Sequence, residues 1–301
     1  MSSDLMSEIH EPTSAQWLPD LVSRLQCPDC GGADFELHRD ESMPLDWTDS
    51  AAVVCNSCHA CYPYARGILN FLPERPRRLT FAQRSNFNPI VARWYQTAWR
   101  SWSMTLLTGK TFSNEEEGRY VAGVALNGLG THETWAGADL GTSHGLYAIN
   151  LALDMRDRNV SGYVVGVDFS PLMLQQALIR ASRSGVANRI LWLLADVENL
   201  PLKDNSMAYV TDGGTLNEYS NERRALSETK RVLAVKGTYV AMHLFAENGV
   251  TSSMLKTIGL GSGLRFPSRD LWKQRFCEAG LSIRTQEKRG RILLTELQKN
   301  A

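Results

Sequence analysis

From residue 135 onward, the apolar positions alternate between two patterns. Short apolar runs typical of buried strands are followed by segments with apolar residues three and four positions apart, which is the spacing of a helix packed on one face. The predicted strands are 135–140, 162–168, 190–195, 207–212 and 238–245. The predicted helices are 146–155, 171–184, 221–233 and 269–279. Strict alternation predicts a parallel sheet with helices on both faces, a Rossmann-like doubly wound α/β fold, which a final hairpin over 281–286 and 292–297 extends with an antiparallel strand.

The first part of the chain has a different pattern. Residues 1–24 mix Ser, Glu, Pro and Thr, which predicts a poorly ordered lead-in whose first apolar positions able to pack include Trp17 and Leu18. Short strands are predicted at 34–38 and 52–55, and a helix start at 113–117, where acidic side chains favour the helix dipole. These changes predict four segments. They are a lead-in (1–24), a small domain (25–75), a helical connector or lid (76–134) and the α/β domain (135–301).

Composition narrows the possible partners. The 301 residues contain 32 basic and 32 acidic side chains, so no overall field gathers a polyanion, which counts against a nucleic-acid substrate without excluding it. Residues 74–110 are the strongly biased stretch, with seven basic residues against one acidic residue. The acidic N-terminus does not resemble a secretory signal, and no apolar run has the length of a membrane span. We therefore expect a cytoplasmic protein without a membrane segment.

Four cysteines form two pairs with metal-ligand spacing, Cys27-Pro-Asp-Cys30 and Cys55-Asn-Ser-Cys58. In a reducing compartment such pairs are more typical of a tetrahedral zinc site than of disulfides. A closed shell of four thiolates leaves no open position on the metal, so the predicted role of zinc is structural. His59 and Cys61 lie near enough in sequence to be alternative ligands, although their spacing suits the second pair less well.

A glycine-containing turn, Asp139-Leu-Gly-Thr-Ser-His-Gly145, follows the first strand of the α/β region. Ligands of such folds bind outside the carboxyl ends of the strands, and glycines let the backbone approach a ligand closely. The turn lacks the G-x-G-x-x-G spacing of dinucleotide-binding enzymes. Asp168 ends the next strand, where a carboxylate can accept hydrogen bonds from both ribose hydroxyls of a nucleoside ligand, and Asp196 follows the third strand.

These features, together with Asn217-Glu-Tyr219 and the segment 225–237, resemble class I S-adenosylmethionine (SAM)-dependent methyltransferases over about residues 115–297. The resemblance implies a seven-stranded sheet and a SAM site. It assigns cofactor contacts to Asp139, Gly141, Ser143, Gly145, Asp168 and Asp196. Ser143 replaces the usual middle glycine, and Ala234-Val-Lys236 stands where a proline and a glycine are usual. Residues 61–73 resemble the end of the zinc-ribbon domain of the small activator subunit of tRNA and protein methyltransferases, a module also fused to some class I enzymes.

Methyl transfer depends mainly on aligning the acceptor with the methyl group and excluding water, and a base is needed only if the acceptor must lose a proton. The candidates for a catalytic base are Glu218, Tyr219 and His243, each of which also has an ordinary structural explanation. In the connector, a helical face with Arg93 and Arg100 adjoins one with Trp99, and these three side chains are candidate acceptor contacts. Packing of an amphipathic helix on the sheet is the alternative explanation.

The favoured hypothesis is a SAM-dependent methyltransferase acting on a small, apolar or aromatic metabolite of secondary or isoprenoid metabolism. An rRNA or tRNA base methyltransferase is the alternative that the basic stretch and the cysteine pairs favour. A non-catalytic scaffold subunit with a SAM fold is the second alternative. The sequence leaves the acceptor atom and the oligomeric state open.

Overall fold

The computed structural model describes residues 14–38, 51–72, 113–130, 133–247 and 264–300. Within them, one mixed sheet of 11 strands is flanked by helices. The strands are β1 (Phe35–His38), β2 (Ala51–Cys55), β3 (Cys61–Ala65), β4 (Ile68–Asn70), β5 (Thr134–Leu140), β6 (Ser161–Asp168), β7 (Ile190–Leu194), β8 (Met207–Gly213), β9 (Leu233–Leu244), β10 (Leu281–Arg289) and β11 (Ile292–Lys299). The α-helices are α1 (Leu18–Ser23), α2 (Asn114–Ala125), α3 (Leu146–Asp157), α4 (Pro171–Arg183), α5 (Glu222–Val232) and α6 (Arg269–Glu278).

Seven strands form the sheet predicted from the C-terminal pattern, in the order β7-β6-β5-β8-β9-β11-β10. β5 to β9 run parallel, and β11 lies antiparallel between β9 and β10. The predicted Rossmann-like class is therefore confirmed. The strand order reverses between β5 and β8, so the crevice that such folds use for ligands lies outside the carboxyl ends of these two strands.

Two apolar clusters hold helices on opposite faces of the sheet. One cluster joins the sheet to α2, α3 and α4 through residues such as Val121, Leu151 and Leu174. The other joins it to α5 and α6 through residues such as Leu226 and Trp272. Burial of both faces explains why the central strands are near-continuous apolar runs rather than alternating ones.

The N-terminal strands continue this sheet beyond β7. β1, β2, β3 and β4 pair with one another antiparallel, and β4 then pairs parallel with β7, with Leu69 opposite Leu193. β3 and β4 were not predicted from the sequence. The hairpin of β3 and β4 turns at Arg66 and Gly67, whose φ angles of 53° and 77° are those of a two-residue hairpin turn. The sequence signal was this residue pair between flanking segments in which apolar and polar residues alternate.

Residues 14–24 form structure rather than a poorly ordered lead-in. α1 buries Leu18 and Leu21 completely, and Asp20 accepts a hydrogen bond from the Tyr163 hydroxyl at 2.7 Å. Leu25, also completely buried, forms a β-bridge with Leu202. The segment before Cys27 therefore packs against the α/β sheet and positions the first cysteine pair beside it.

Two further details concern the predicted elements. α2 begins as predicted, with Ser113 Oγ accepting from the Glu116 amide and the Glu116 carboxylate accepting from the Ser113 amide, both at 3.1 Å. β9 starts at Leu233 rather than at 238, because the chain pairs with β8 across an irregularity that includes Lys236 at a φ of 65°. Among the described residues, no helix has the length and apolarity needed to cross a membrane.

We expect the N-terminal strands and the α/β sheet to unfold as one cooperative unit. Replacing completely buried Leu25 with alanine removes apolar contacts on both sides of the junction and leaves a cavity, so unfolding should cost about 2–5 kcal/mol less free energy. Urea denaturation followed by fluorescence and by far-UV circular dichroism measures this. Val235→Ala, at an apolar side chain that is 54% exposed, is the control and should change stability little. Two separate transitions, with only one shifted by Leu25→Ala, would contradict the prediction.

Candidate cofactor site and thiolate cluster

Four aspartates lie at the carboxyl ends of neighbouring parallel strands. Asp139 is the penultimate residue of β5, Asp168 ends β6, Asp196 follows β7, and Asp212 is the penultimate residue of β8. Since β7, β6, β5 and β8 are adjacent, these side chains share one edge of the sheet, beside the point where the strand order reverses. The predicted cofactor residues Asp139, Asp168 and Asp196 thus lie at one edge of the sheet, where folds of this kind have their ligand crevice.

Asp139 holds the glycine turn together. Its carboxylate is 1% exposed, and it accepts from Thr142 Oγ1 at 2.6 Å, from the Ala148 amide at 3.1 Å and from Thr211 Oγ1 at 2.8 Å. Burial raises its pKa to about 7, although these three donors favour the ionised form. The donors belong to the turn, to α3 and to β8, so we expect Asp139 to shape the cofactor turn rather than to touch a cofactor.

The turn itself depends on left-handed backbone conformations. Gly141, Ser143 and Gly145 have φ angles of 60°, 52° and 82°. A Cβ atom on Gly141 would lie 2.3 Å from Thr215 Oγ1, which explains the requirement for glycine at that position. Ser143, which replaces the usual glycine, adopts its left-handed conformation with its amide donating to Asp168 Oδ2 at 2.8 Å. The serine is therefore accommodated without opening the turn.

Asp168 joins the turn to the start of α4. Its two carboxylate oxygens accept from the amides of Ser143 and Ser170, each at 2.8 Å. Burial raises its pKa to about 6 against these hydrogen bonds. The Phe169 amide is a third backbone donor to this carboxylate. Because a carboxylate has about four acceptor positions, Asp168 keeps capacity for a further hydrogen bond from a ligand.

Asp196 caps the short 3₁₀ turn after β7. Its Oδ1 accepts from the Glu198 amide at 2.9 Å, and the side chain is half-buried. This contact fixes the loop after β7 while leaving part of the carboxylate accessible.

Asp212 is a central residue of the crevice that the sequence reading did not select. Its Oδ1 accepts from Thr215 Oγ1 at 2.8 Å and from the amides of Gly214, Thr215 and Leu216 at 3.0–3.3 Å, and Oδ2 accepts from Tyr219 Oη at 2.9 Å. Burial raises the pKa of Asp212 to about 6. The sequence pattern that could have predicted this role is an aspartate at a strand end followed by Gly-Gly-Thr, because the carboxylate can then cap a tight turn.

Tyr147 and Glu117 were also missed. The Tyr147 ring packs beside Gly213 at the end of β8, and its hydroxyl donates to the Glu117 carboxylate of α2, which is completely buried. Through this pair α2 contacts the crevice side of α3. The acidic helix start predicted from sequence therefore includes one glutamate that faces the core.

Two predicted catalytic residues lie on the loop after β8. Tyr219 is 5% exposed, its hydroxyl is directed to Asp212 and Thr215, and burial beside Asp212 raises its pKa well above 10. Tyr219 thus supports the loop as a neutral phenol. Glu218 is half-buried, and burial together with the carboxylates of Asp168 and Asp212 raises its pKa to about 7. Of the two, Glu218 is the side chain with a carboxylate near the cofactor residues.

The third predicted catalytic residue, His243, lies in the apolar core. It is completely buried, with Nε2 at 2.9 Å from Thr295 Oγ1 and its ring 4.7 Å from that of Trp272. Burial lowers its pKa to about 3, so the imidazole is neutral. These contacts account for His243 as a packing residue between β9 and α6, and they do not support the predicted catalytic role. The predicted acceptor contacts Arg93, Trp99 and Arg100 lie outside the described residues.

The four paired cysteines converge at one point. The Sγ atoms of Cys27, Cys30, Cys55 and Cys58 all lie within 4.8 Å of one another, with Cys27 to Cys58 at 3.6 Å and Cys30 to Cys55 at 3.7 Å. Zinc–sulfur bonds of about 2.3 Å in a tetrahedron place the sulfur atoms roughly 3.8 Å apart. The cluster therefore has the dimensions of a four-thiolate zinc shell.

The two cysteine turns have the same backbone structure. The Cys27 and Cys55 amides donate to the carbonyls of Gly32 and Ala60 at 2.8 and 3.0 Å, and their own carbonyls accept from Gly31 and His59, both at 2.8 Å. Gly31 and His59 occupy the same left-handed position, with φ of 76° and 61°. His59 is thus a turn residue, and Cys61 is an exposed residue that begins β3.

Comparison with known proteins concerns the α/β part of the chain. Residues 138–241 match the family described as methyltransferase domain. A 2-phytyl-1,4-naphtoquinone methyltransferase of Nostoc punctiforme is 39% identical over 95 residues, which are 32% of this chain and 40% of the relative. A demethylmenaquinone methyltransferase of Lactiplantibacillus plantarum is 30% identical over 116 residues, covering 35% of this chain and 49% of the relative. The matches thus span less than half of these relatives.

A solved structure matches a larger share of the chain. It is the complex between the Haloferax volcanii Trm112 methyltransferase activator and a methyltransferase, with a TM-score of 0.50 at 20% identity, covering 70% of this chain and 97% of that chain. At this identity the likeness concerns the fold. The family match includes the turn at 139–145 together with Asp168, Asp196 and Asp212. Residues 138–241, with this crevice edge, are therefore the part of the chain that is similar to methyltransferase domains.

Proposed function

We propose that this chain is a SAM-dependent methyltransferase whose acceptor is a small apolar ring compound of the quinol type. The observation that carries the proposal is that the methyltransferase-domain match covers a crevice with a left-handed glycine turn and three strand-end aspartates. The quinone specificity in the names of the two relatives, which match only in part, supports the acceptor class. The absence of a net charge on the chain also favours a small acceptor over RNA.

The residues present fit the cofactor. SAM supplies a methyl group on a positively charged sulfonium. Asp168 binds the ribose through the acceptor capacity that remains beside its three backbone amide donors, and Asp196 accepts from the adenine amino group. Gly141, Ser143 and Gly145 bring the backbone close to the ligand, while Asp139 and Asp212 hold the two loops that face it.

On the acceptor side, the loop after β8 contributes Glu218 at the crevice, with Tyr219 holding it in place through Asp212. Arg93, Trp99 and Arg100 remain the proposed contacts of the connector with the acceptor. Their aromatic and guanidinium groups suit a flat ring bearing oxygen substituents.

The thiolate cluster holds a structural zinc ion. The distances between its sulfur atoms match a tetrahedral shell, and four thiolates leave the metal no position for substrate. β1 and β4 are only four and three residues long, so metal binding contributes folding energy that this small region lacks.

Methyl transfer from labelled SAM tests the proposed reaction. The purified full chain is incubated with reduced 1,4-naphthoquinols that carry a free ring position, in detergent, and in parallel with total RNA. We expect SAM binding by calorimetry and labelled product only with the quinols. Methylated RNA, with binding that weakens steeply as salt rises, would establish the nucleic-acid alternative instead. A chain that binds no SAM would be a scaffold subunit, and the proposed reaction would be rejected.

Asp168→Ala tests the cofactor assignment. Loss of charge-assisted hydrogen bonding to the ribose should weaken SAM binding by about 100-fold or more, and loss of the backbone amide contacts should lower the free energy of unfolding by about 1–3 kcal/mol. Calorimetry and urea denaturation measure the two effects. Asp157→Ala, at an exposed carboxylate at the end of α3, is the matched control. Unchanged SAM affinity in a folded Asp168→Ala protein would remove Asp168 from the site.

Replacing Cys27 and Cys30 together with serine tests the metal assignment. We expect one zinc per chain in the unmodified protein by plasma mass spectrometry, none in the double variant, and a lower midpoint of urea unfolding because metal binding is coupled to folding. Cys61→Ser and Cys277→Ser, at exposed cysteines outside the cluster, are the controls and should keep the metal. Full zinc content in the double variant would refute the ligand set.

A further inference from the structure

The position of Glu218 is fixed by the residues on either side of it. Asn217 donates through Nδ2 to the carbonyls of Leu244 and Arg265 at 3.0 and 2.6 Å, and its Oδ1 accepts from the Leu244 amide at 2.8 Å. Tyr219 is held by Asp212, and the Glu218 amide donates to the Thr215 carbonyl at 2.8 Å. The backbone that carries Glu218 is therefore anchored to β8, to β9 and to the segment before α6.

Its carboxylate differs from the others at the crevice. Asp139 accepts from three donors, Asp168 from three backbone amides, and Asp212 from backbone amides and two hydroxyls. Among the residues that the structure describes, Glu218 has no hydrogen-bond donor to its carboxylate. The chain fixes the backbone of Glu218, and its half-buried carboxylate keeps the exposure through which a ligand can contact it.

The electrostatic surroundings of Glu218 indicate the charge of that ligand. The charges of the Asp168 and Asp212 carboxylates add to burial in raising the pKa of Glu218 to about 7. Glu222, which begins α5 next to this loop, is already paired with Arg265 and Arg275. A positive charge entering the crevice would be attracted by Glu218, Asp168 and Asp212 together, whereas a neutral group would gain no charge–charge attraction from them.

We infer that Glu218 recognises the positive charge of the SAM sulfonium, and so distinguishes SAM from its demethylated product. This inference rests on the proposed function. S-adenosylhomocysteine has the same adenosine, ammonium and carboxylate groups as SAM but a neutral thioether, so the two ligands differ by one positive charge and one methyl group. A carboxylate beside the sulfur favours the methyl donor in the ground state and favours release of the product once the charge is lost. Glu218 acts here as a specificity residue rather than as the general base predicted from sequence.

Calorimetric titration of Glu218→Gln with both ligands tests the inference. We expect SAM affinity to fall by about 10-fold and S-adenosylhomocysteine affinity by less than about 2-fold, so the ratio of the two dissociation constants changes. Sinefungin, which carries an ammonium group in place of the methylsulfonium, should follow SAM. Glu218→Asp keeps the charge and should retain most of the discrimination. Glu278→Gln, at an exposed carboxylate of α6, is the matched control and should change neither affinity.

The outcomes separate this inference from the proposed function. Equal losses for SAM and S-adenosylhomocysteine in folded Glu218→Gln protein, or no loss for either, would overturn the charge-recognition role while the methyltransferase proposal stands. Failure of the unmodified chain to bind SAM would overturn the proposed function itself. Thermal unfolding of each variant establishes that it is folded before titration, and Glu218→Asp provides the comparison if Glu218→Gln is unstable.

Discussion

The crevice depends on one buried carboxylate, that of Asp139. An ionised group taken out of water must find donors inside the protein, and Asp139 finds them in the turn, in the first turn of α3 and in β8. These contacts couple the two strands at which the sheet order reverses. The Asp139 carboxylate thus links the left-handed turn, the start of α3 and the register of β5 with β8.

Backbone amides and carbonyls, like the Asp139 carboxylate, need hydrogen-bond partners, and this explains why the N-terminal strands join the sheet. Without β4, β7 would be an edge strand with unpaired amides and carbonyls, a site where other chains can add. β4 pairs with three residues of β7, and the Phe71 amide continues this pairing to the Leu194 carbonyl at 2.8 Å. The thiolate cluster holds β1 and β2 at the far side of this extension, so a metal there also supports the strand that covers β7. β7 leads directly to Asp196, which links the cluster to the cofactor side of the sheet.

Most of this arrangement could be predicted from sequence where the signals are local. The alternation of apolar runs predicted the seven strands, the spacing of the cysteines predicted their cluster, and the strand-end positions of Asp139, Asp168 and Asp196 predicted a common edge. The pairing of β4 with β7 is a contact between segments more than 100 residues apart, and a single sequence contains no local signal for it. His243 shows another limit, since a histidine near a strand end gives no indication of whether it faces a crevice or, as here, Trp272.

Ionising the buried carboxylates of the crevice costs free energy, and a bound cation reduces that cost. Burial raises the pKa values of Asp139, Asp168 and Asp212 above the ordinary value near 3.8, so the folded chain binds protons more tightly than the unfolded chain. The cost of ionising them is absent below pH 3.8 and complete above about pH 7, so these groups make the ligand-free fold less stable as pH rises through that window. A sulfonium ion bound beside them favours the ionised forms and offsets this cost. The three aspartates also have internal donors, which keep the crevice folded before any ligand arrives. No donor among the described residues contacts the Glu218 carboxylate. A bound cation would therefore offset more of the cost of ionising Glu218 than of ionising the three aspartates.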